Sequence, residues 1–471
     1  MDFLEACRKI IGIDSSPAAG TLEVAKFVET LVHEMKSTAP MHVELQIEAW
    51  NGVDQANVII RPGESAGTEL PEKEFMLQTH LDTPDPGPYA LWGKTGANPF
   101  NASIYQSAEG DMIHGLGSAD VKLDFLCKLY ALRDVIASGG GEGTKPWKTP
   151  PVLVGTFGEE LGMPGAVRLI RKKKIRPIAV LVGEPTAMQL VVAGKGFASV
   201  EIEIPFSEEE RKFRSDHDLS ESSSTQSRLF SGRAAHSSAP QLGDSAIFKM
   251  FDALERLPSG LATMEIEGGV NFNTVASQAV LEIDMVSTFS NDGLRTLMAQ
   301  KIVRIRAAIK KVEEQFRKFP DAQFLPQEPT MNIGMIRTLE DHVKISGCVR
   351  LPPTVSQTDY EGWMRDLREA CAAEGAVFRI GDYKQPFRTV TSSKLVGACK
   401  HALNEMGIDA ALGAQAVANE ANVFAKFGLD CAVWGPGQGV GNSHTPNEYV
   451  RIPELDRATE FYRQVISRMC L

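Results

Sequence analysis

Four polar clusters, each at or just after the end of a short apolar run, constrain this chain more than any other feature. His80-Leu81-Asp82 closes the run 74–80, Glu159-Glu160 follows 151–157, and Glu184 follows 177–182. His444 comes after 431–434 and a glycine-rich turn. The runs are brief and rich in β-branched or aromatic residues, and they alternate with helical patterns. That texture predicts buried strands of a largely parallel sheet. In open α/β sheets, loops at the carboxyl ends of the strands converge on one crevice, so the polar clusters are expected together there. Residues two apart on an extended segment point the same way, which lets His80 and Asp82 share a face. Asp120, in Gly117-Ser-Ala-Asp-Val-Lys122 at the start of a helical pattern, adds a fifth polar position.

Imidazoles and carboxylates in this number suit a pair of zinc ions sharing one carboxylate, with cobalt or manganese as substitutes for the same donors. Zinc would generate a nucleophile from water near neutral pH. A carboxylate beside the metals that does not ligate them can take the water's proton and pass it to a leaving amine. Adjacent Glu159 and Glu160 suit that division of labour. Taken alone, the pair would read as an ordinary helix N-terminus, where acids favour the dipole.

With 471 residues the chain is too long for one ordinary core, and two domains are expected. Its net charge of −11 argues against a nucleic-acid or anionic-membrane surface. The basic run Arg171 to Lys174 falls at the end of a helical pattern and reads as a solvated face. Seven cysteines without a Cys-x-x-Cys pair fit reduced thiols in a cytosolic protein. With neither a secretory leader pattern nor a spanning apolar stretch, the expectation is a cytoplasmic location.

Along the chain, helical spacing covers 21–36, the segment after Asp120, and 164–174. The loop 83–112 is dense in proline and glycine and long for a connector. From about residue 194 the texture changes. A strand at 197–204 leads into polar 207–230, which reads as a flexible insertion. Then come helix 244–256, strands near 270–276 and 279–286, helix 292–317, a strand at 343–350 and a helix at 358–374. Doubly wound texture returns after 384, with helix 392–406, strand 431–434 and helix 453–468. The ligand-bearing segments, 1–193 and 384–471, thus bracket a middle stretch, 194–383, predicted to be an inserted domain.

Two nucleotide-like motifs fail. Gly87 to Thr95 has five residues between its glycines where a phosphate loop needs four. Gly435 to Gly441 follows a strand but opens no helix, and reads better as a turn presenting His444. His33, His42, His217, His342 and His401 read as surface or core residues, and His114 has no assigned role.

In order, the clusters resemble the dizinc amidohydrolase family of acetylornithine deacetylase, succinyl-diaminopimelate desuccinylase, aminoacylase and carboxypeptidase G. His80-Leu-Asp82 resembles the family's His-x-Asp. Gly115-Leu-Gly-Ser-Ala-Asp120-Val-Lys122 resembles Gly-Arg-Gly-x-x-Asp-x-Lys, with Leu116 in place of arginine. The Glu159-Glu160 pair, Gly-Glu184-Pro-Thr and His444-Thr-Pro-Asn-Glu-Tyr complete the set, and Asn419-Glu420-Ala421 resembles the deacetylases' Thr-Glu-Ala. The resemblance implies an α/β fold: a zinc-peptidase-like three-layer catalytic domain with an inserted ferredoxin-like α+β lid that often mediates homodimers. It implies that Asp120 bridges two zinc ions, one also held by His80 and Glu184, the other by Glu160 and His444. Asp82 would orient His80, and Glu159 would be the general base. In the lid, His236 would stabilise the scissile carbonyl, with Asn273 and Arg350 binding substrate. Those last two stand 77 positions apart, so the lid carries a large insertion. The implied activity is deacylation of an N-acyl amino acid, N-acetylornithine-like. The alternatives are a metallo-carboxypeptidase or dipeptidase acting on short peptides, or a metal-stabilised scaffold.

Overall fold

The computed structural model describes residues 1–64, 70–216, 226–258, 260–285, 290–295 and 297–471. They form two compact units. One comprises Met1–Ala193, Phe387–Ala414 and Asn419–Leu471, and the other Gly194–Pro386 with Gln415–Ala418.

The first unit is built on a mixed sheet. Its strands run Met41–Trp50, Val53–Pro62, Pro151–Thr156, Glu74–His80, Pro177–Gly183, Asp430–Val433 and Leu190–Gly194 across the sheet. Strand 74–80 pairs in parallel with both 151–156 and 177–183, and 430–433 pairs in parallel with 177–183. These central strands are apolar on both faces because both faces are covered. Successive side chains alternate sides. Leu153, Ala179 and Leu181 enter one core with helices Lys122–Ala137, Lys394–Glu405 and Ile452–Cys470. Val152, Val154, Val180 and Val182 enter another with helices Pro164–Arg171 and Glu420–Ala425. The result is a three-layer α/β unit whose parallel strands share one carboxyl edge.

The hairpin Met41–Trp50/Val53–Pro62 is absent from the expected element list. Its turn, Asn51-Gly52, has both residues in the left-handed region (φ 51° and 81°), the geometry that a two-residue hairpin loop requires.

The second unit is a seven-stranded antiparallel sheet in the order Gln226–Ser231, Gln278–Met285, Leu261–Gly268, Thr330–Thr338, His342–Leu351, Gly196–Pro205 and Val377–Lys384. Three expectations are corrected here. Within 207–230 the structure has helix Glu208–Asp216 and strand Gln226–Ser231, while 217–225, with the serine run, lies outside the described residues. The helix begins at a reciprocal cap: Ser207 N donates to Glu210, and Glu210 N donates to Ser207 Oγ. The strand expected at 270–276 is Leu261–Gly268 instead. Gly269 (φ 66°) ends it, and 269–277 is a turn-rich loop carrying Asn273. The expected helix 292–317 is two helices, Asn291–Arg295 and Met298–Phe316, with residue 296 outside the described set.

All seven cysteines are buried and unbridged. No described helix is long and apolar enough to cross a membrane.

Candidate metal centre

His80 is the last residue of its strand, and its ring is 1% exposed. Its Nε2 lies 3.2 Å from Asp120 Oδ1. The other Asp120 oxygen, Oδ2, lies 3.5 Å from His444 Nε2, which is 2.9 Å from Glu160 Oε1. Asp120 thus faces one histidine with each carboxylate oxygen. Ligand atoms of His80, Asp120 and Glu184 lie within 4.8 Å of one another, as do those of Asp120, Glu160 and His444. A third such group joins His80, Glu159 and Glu160.

Strand ends and tight turns hold these groups. Glu184 directly follows strand 177–183, and Gly183 cannot carry a side chain, because a Cβ there would collide with the Asp124 carboxylate and the Lys128 ammonium. His444 sits in the left-handed region at φ 58°, uncommon for a residue with a side chain. The turn around it is pinned by Ser443 N donating to Gly439 O and by Asn442 Nδ2 donating to Tyr449 O.

Asp82 has more contacts than the sequence suggests. Its backbone carbonyl is 3.0 Å from His80 Nδ1, nearer than its carboxylate at 3.5 Å. The carboxylate instead accepts from Glu159 N (3.1 Å) and Glu160 N (3.0 Å), tying the Glu-Glu turn to the strand that carries His80. Glu448, unassigned in the sequence reading, is fully buried and accepts from the backbone N–H groups of Ala119 (2.7 Å) and Asp120 (2.9 Å). Beneath the centre, Asp124 receives Thr79 Oγ1 at 2.7 Å and pairs with Lys128 at 2.8 Å, while Tyr462 donates to its other oxygen. Glu420 accepts from Thr156 Oγ1 (2.7 Å) and from Gln78. The sequence hint for the Asp124–Lys128 pair is two charges four apart on a helix that is otherwise apolar on nearly every face. His114, edge-on to the Tyr105 ring and tilted against Tyr449 with Nδ1 2.9 Å from Asn447 O, is a packing residue.

The electrostatics favour added positive charge. Burial pushes Glu159 well above the usual carboxylate range, and neighbouring Glu184 pushes it further. Burial raises Glu184 and Glu160 as well. Burial also opposes ionisation of Asp120, yet hydrogen bonds from His444 and His80 hold it low. Hydrogen bonds to Asp120 and Glu160 push His444 up to about 11. Glu184 Oε1 is buried with no hydrogen-bond partner. Crowded carboxylates, an orphaned oxygen and two imidazoles form a donor set that fits divalent cations.

His236, Asn273 and Arg350 lie together in the second unit. Asn273 Nδ2 is 3.1 Å from His236 Nε2, and Asn273 Oδ1 accepts from Arg350 Nη2 at 2.8 Å. Ser237, not singled out from sequence, also donates to Asn273 Oδ1.

Comparison with known proteins places this geometry in a family. An acetylornithine deacetylase from Pectobacterium carotovorum is 30% identical over 216 residues, 46% of this chain and 44% of that protein. A probable carboxypeptidase from Aspergillus clavatus is 26% identical over 276 residues, 53% of this chain and 52% of that protein. The matched regions thus span about half the length of these relatives. An M20 family metallo-carboxypeptidase from Sulfolobus solfataricus shares the fold across 100% of this chain and 99% of its own, with a TM-score of 0.60 at 16% identity. The profile described as peptidase family M20/M25/M40 matches residues 76–468, a span that holds all the residues of the centre from His80 to His444. The chain belongs to peptidase family M20/M25/M40.

Proposed function

We propose that the protein is a metal-dependent amide hydrolase that releases a free amino acid from an N-acyl amino acid, N-acetylornithine-like in class. The observation that carries this reading is the pair of ligand groups sharing Asp120, with Glu159 beside them. His80 and Glu184 would hold one cation, and Glu160 and His444 the other. Zinc is the proposed metal on ligand type, with cobalt or manganese able to use the same donors. When bound, such ions supply Lewis acidity toward the amide carbonyl and lower the pKa of water.

The chain's own residues do the rest. Glu159 takes the proton of the attacking water and returns it to the leaving nitrogen. Asp82 fixes the Glu159 backbone for that transfer. We assign the first unit as the catalytic domain and the second as a lid whose His236, Asn273 and Arg350 bind substrate. His236 Nε2 is engaged by the Asn273 amide, so donating to a substrate carbonyl requires that contact to be exchanged. A cytoplasmic location is part of the proposal, supported by seven unbridged thiols. A homodimer through the second unit is part of the same proposal.

Peptidase action on short peptides is the second reading, favoured by the carboxypeptidase relative. Side-by-side turnover of N-acetylornithine, other N-acetyl amino acids and dipeptides by zinc-loaded protein decides between them, and faster dipeptide cleavage reverses the order. Glu159→Gln is expected to keep its metal and lose about 10³-fold in kcat. Equal turnover by variant and parent removes Glu159 from the mechanism.

A further inference from the structure

A buried ion pair lies beneath the metal centre, inside the first unit. Asp124 and Lys128 stand one turn apart on helix Lys122–Ala137, with Lys128 Nζ 2.8 Å from Asp124 Oδ2 and both side chains shielded from solvent. Apolar side chains of matching volume pack a helix against a sheet without the cost of taking two charges out of water, so the pair is a poor choice for stability alone. Its hydrogen bonds are instead fully committed. Lys128 also donates to Gln78 O at 2.6 Å and to Thr79 Oγ1 at 2.8 Å, which uses all three of its donors. Asp124 Oδ2 accepts from Thr79 Oγ1 at 2.7 Å. Its Oδ1 accepts from Tyr462, whose hydroxyl also lies 3.1 Å from Trp434 O.

These contacts converge on two strand ends. Thr79 and Gly183 are partners in the parallel ladder between strands 74–80 and 177–183, and each directly precedes a ligand candidate, His80 and Glu184. The ion pair meets both positions. It holds Thr79 through the hydroxyl, and it packs so closely on Gly183 that a Cβ there would fall on Asp124, Lys128 and Thr79 Oγ1. On the far side of strand 177–183, Trp434 N donates to Val182 O at 3.0 Å, which joins the Tyr462 contact to the same strand end. Glu184 Oε1 is buried with no hydrogen-bond partner, so that oxygen is aimed by its backbone rather than by a hydrogen bond.

The other ligand group is held by different means. Glu160 N donates to Asp82 Oδ2, and the turn bearing His444 is pinned by Ser443 N on Gly439 O and by Asn442 Nδ2 on Tyr449 O. None of these bonds involves Asp124 or Lys128. Charge divides the centre in the same way. Burial lowers the pKa of the Lys128 ammonium, and the carboxylates of Asp124 and then Glu184 oppose that shift, which ties the buried cation to Glu184.

We propose that Asp124 and Lys128 are positioning residues for one of the two cations, fixing the strand ends that aim His80 and Glu184 while leaving the Glu160–His444 position to its own supports. This rests on the reading of His80 and Glu184 as ligands of one cation. The test is the zinc content of the full chain after equilibration against graded free zinc, with thermal unfolding of the metal-free protein as the check on the fold. Asp124→Asn is expected to weaken one of the two zinc ions by about 10- to 100-fold and to leave the other within about threefold of the parent. Added to Glu184→Gln it should change nothing further, whereas added to Glu160→Gln it should show its full effect again. Tyr462→Phe, which keeps the ion pair and removes only a hydroxyl, should shift the same ion by a smaller factor, and it carries the test should Asp124→Asn not fold. Equal weakening of both ions, or of neither in a folded variant, overturns the proposal. Parental affinity for both ions in Glu184→Gln alone would instead sink the ligand reading, and this proposal with it.

Discussion

Asp82 contacts three groups at once: its carbonyl faces His80, and its two carboxylate oxygens hold the backbones of Glu159 and Glu160. Asp82→Ala keeps the carbonyl that faces His80 but removes the acceptors of the Glu159 and Glu160 N–H groups, so it should lower kcat through Glu159 and weaken metal binding through the ligand Glu160 by about 10- to 100-fold, read by chelator competition. Asp82→Asn, which keeps one carbonyl acceptor, should lose less of both. Hydrogen bonds to Asp120 and Glu160 push His444 up to about 11, and Asp120 and Asp82 raise His80 against its burial, so both imidazoles favour the protonated form in the metal-free protein. To ligate, each must give up that proton. Metal loading is thus expected to release protons, and apparent affinity to rise with pH across the neutral range. Calorimetric titration in buffers of different ionisation enthalpy measures the number, and a buffer-independent heat would contradict it. The ligand candidates were legible in sequence because few residue types can do that chemistry. Glu448 was not, because a lone glutamate beside a quoted motif says nothing about which backbone N–H groups it will meet.

At the level of elements, legibility followed coverage. The strands 74–80, 151–156 and 177–183 were readable because burial on both faces makes them continuously apolar. Half-covered strands such as 41–50 mix exposed and buried residues, so only the Asn51-Gly52 turn could have revealed that hairpin. Helix 208–216 was hidden by its charge, although Ser207 and Glu210 stand at capping-box spacing. The final helix, 452–470, is the main cover of helix 122–137, and its Phe461 stacks on Trp434 with ring centroids 3.9 Å apart. Phe461→Ala should cost about 3–5 kcal/mol in denaturant unfolding. A cost under about 1 kcal/mol would show that this contact is dispensable.

The whole molecule has separate apolar cores in its two units. Calorimetry of the metal-free protein is expected to resolve two transitions, and added zinc to raise the one belonging to the first unit, because a ligand stabilises only what it binds. A single transition that moves as one would mean the units unfold together. The thiols offer a way to see which opens. Cys348 and Cys371 lie in the second unit, the other five in the first, and all are shielded from solvent. Alkylation followed by peptide mass mapping would then time each unit's opening separately, with the native sulfurs as reporters and no foreign label to perturb the fold.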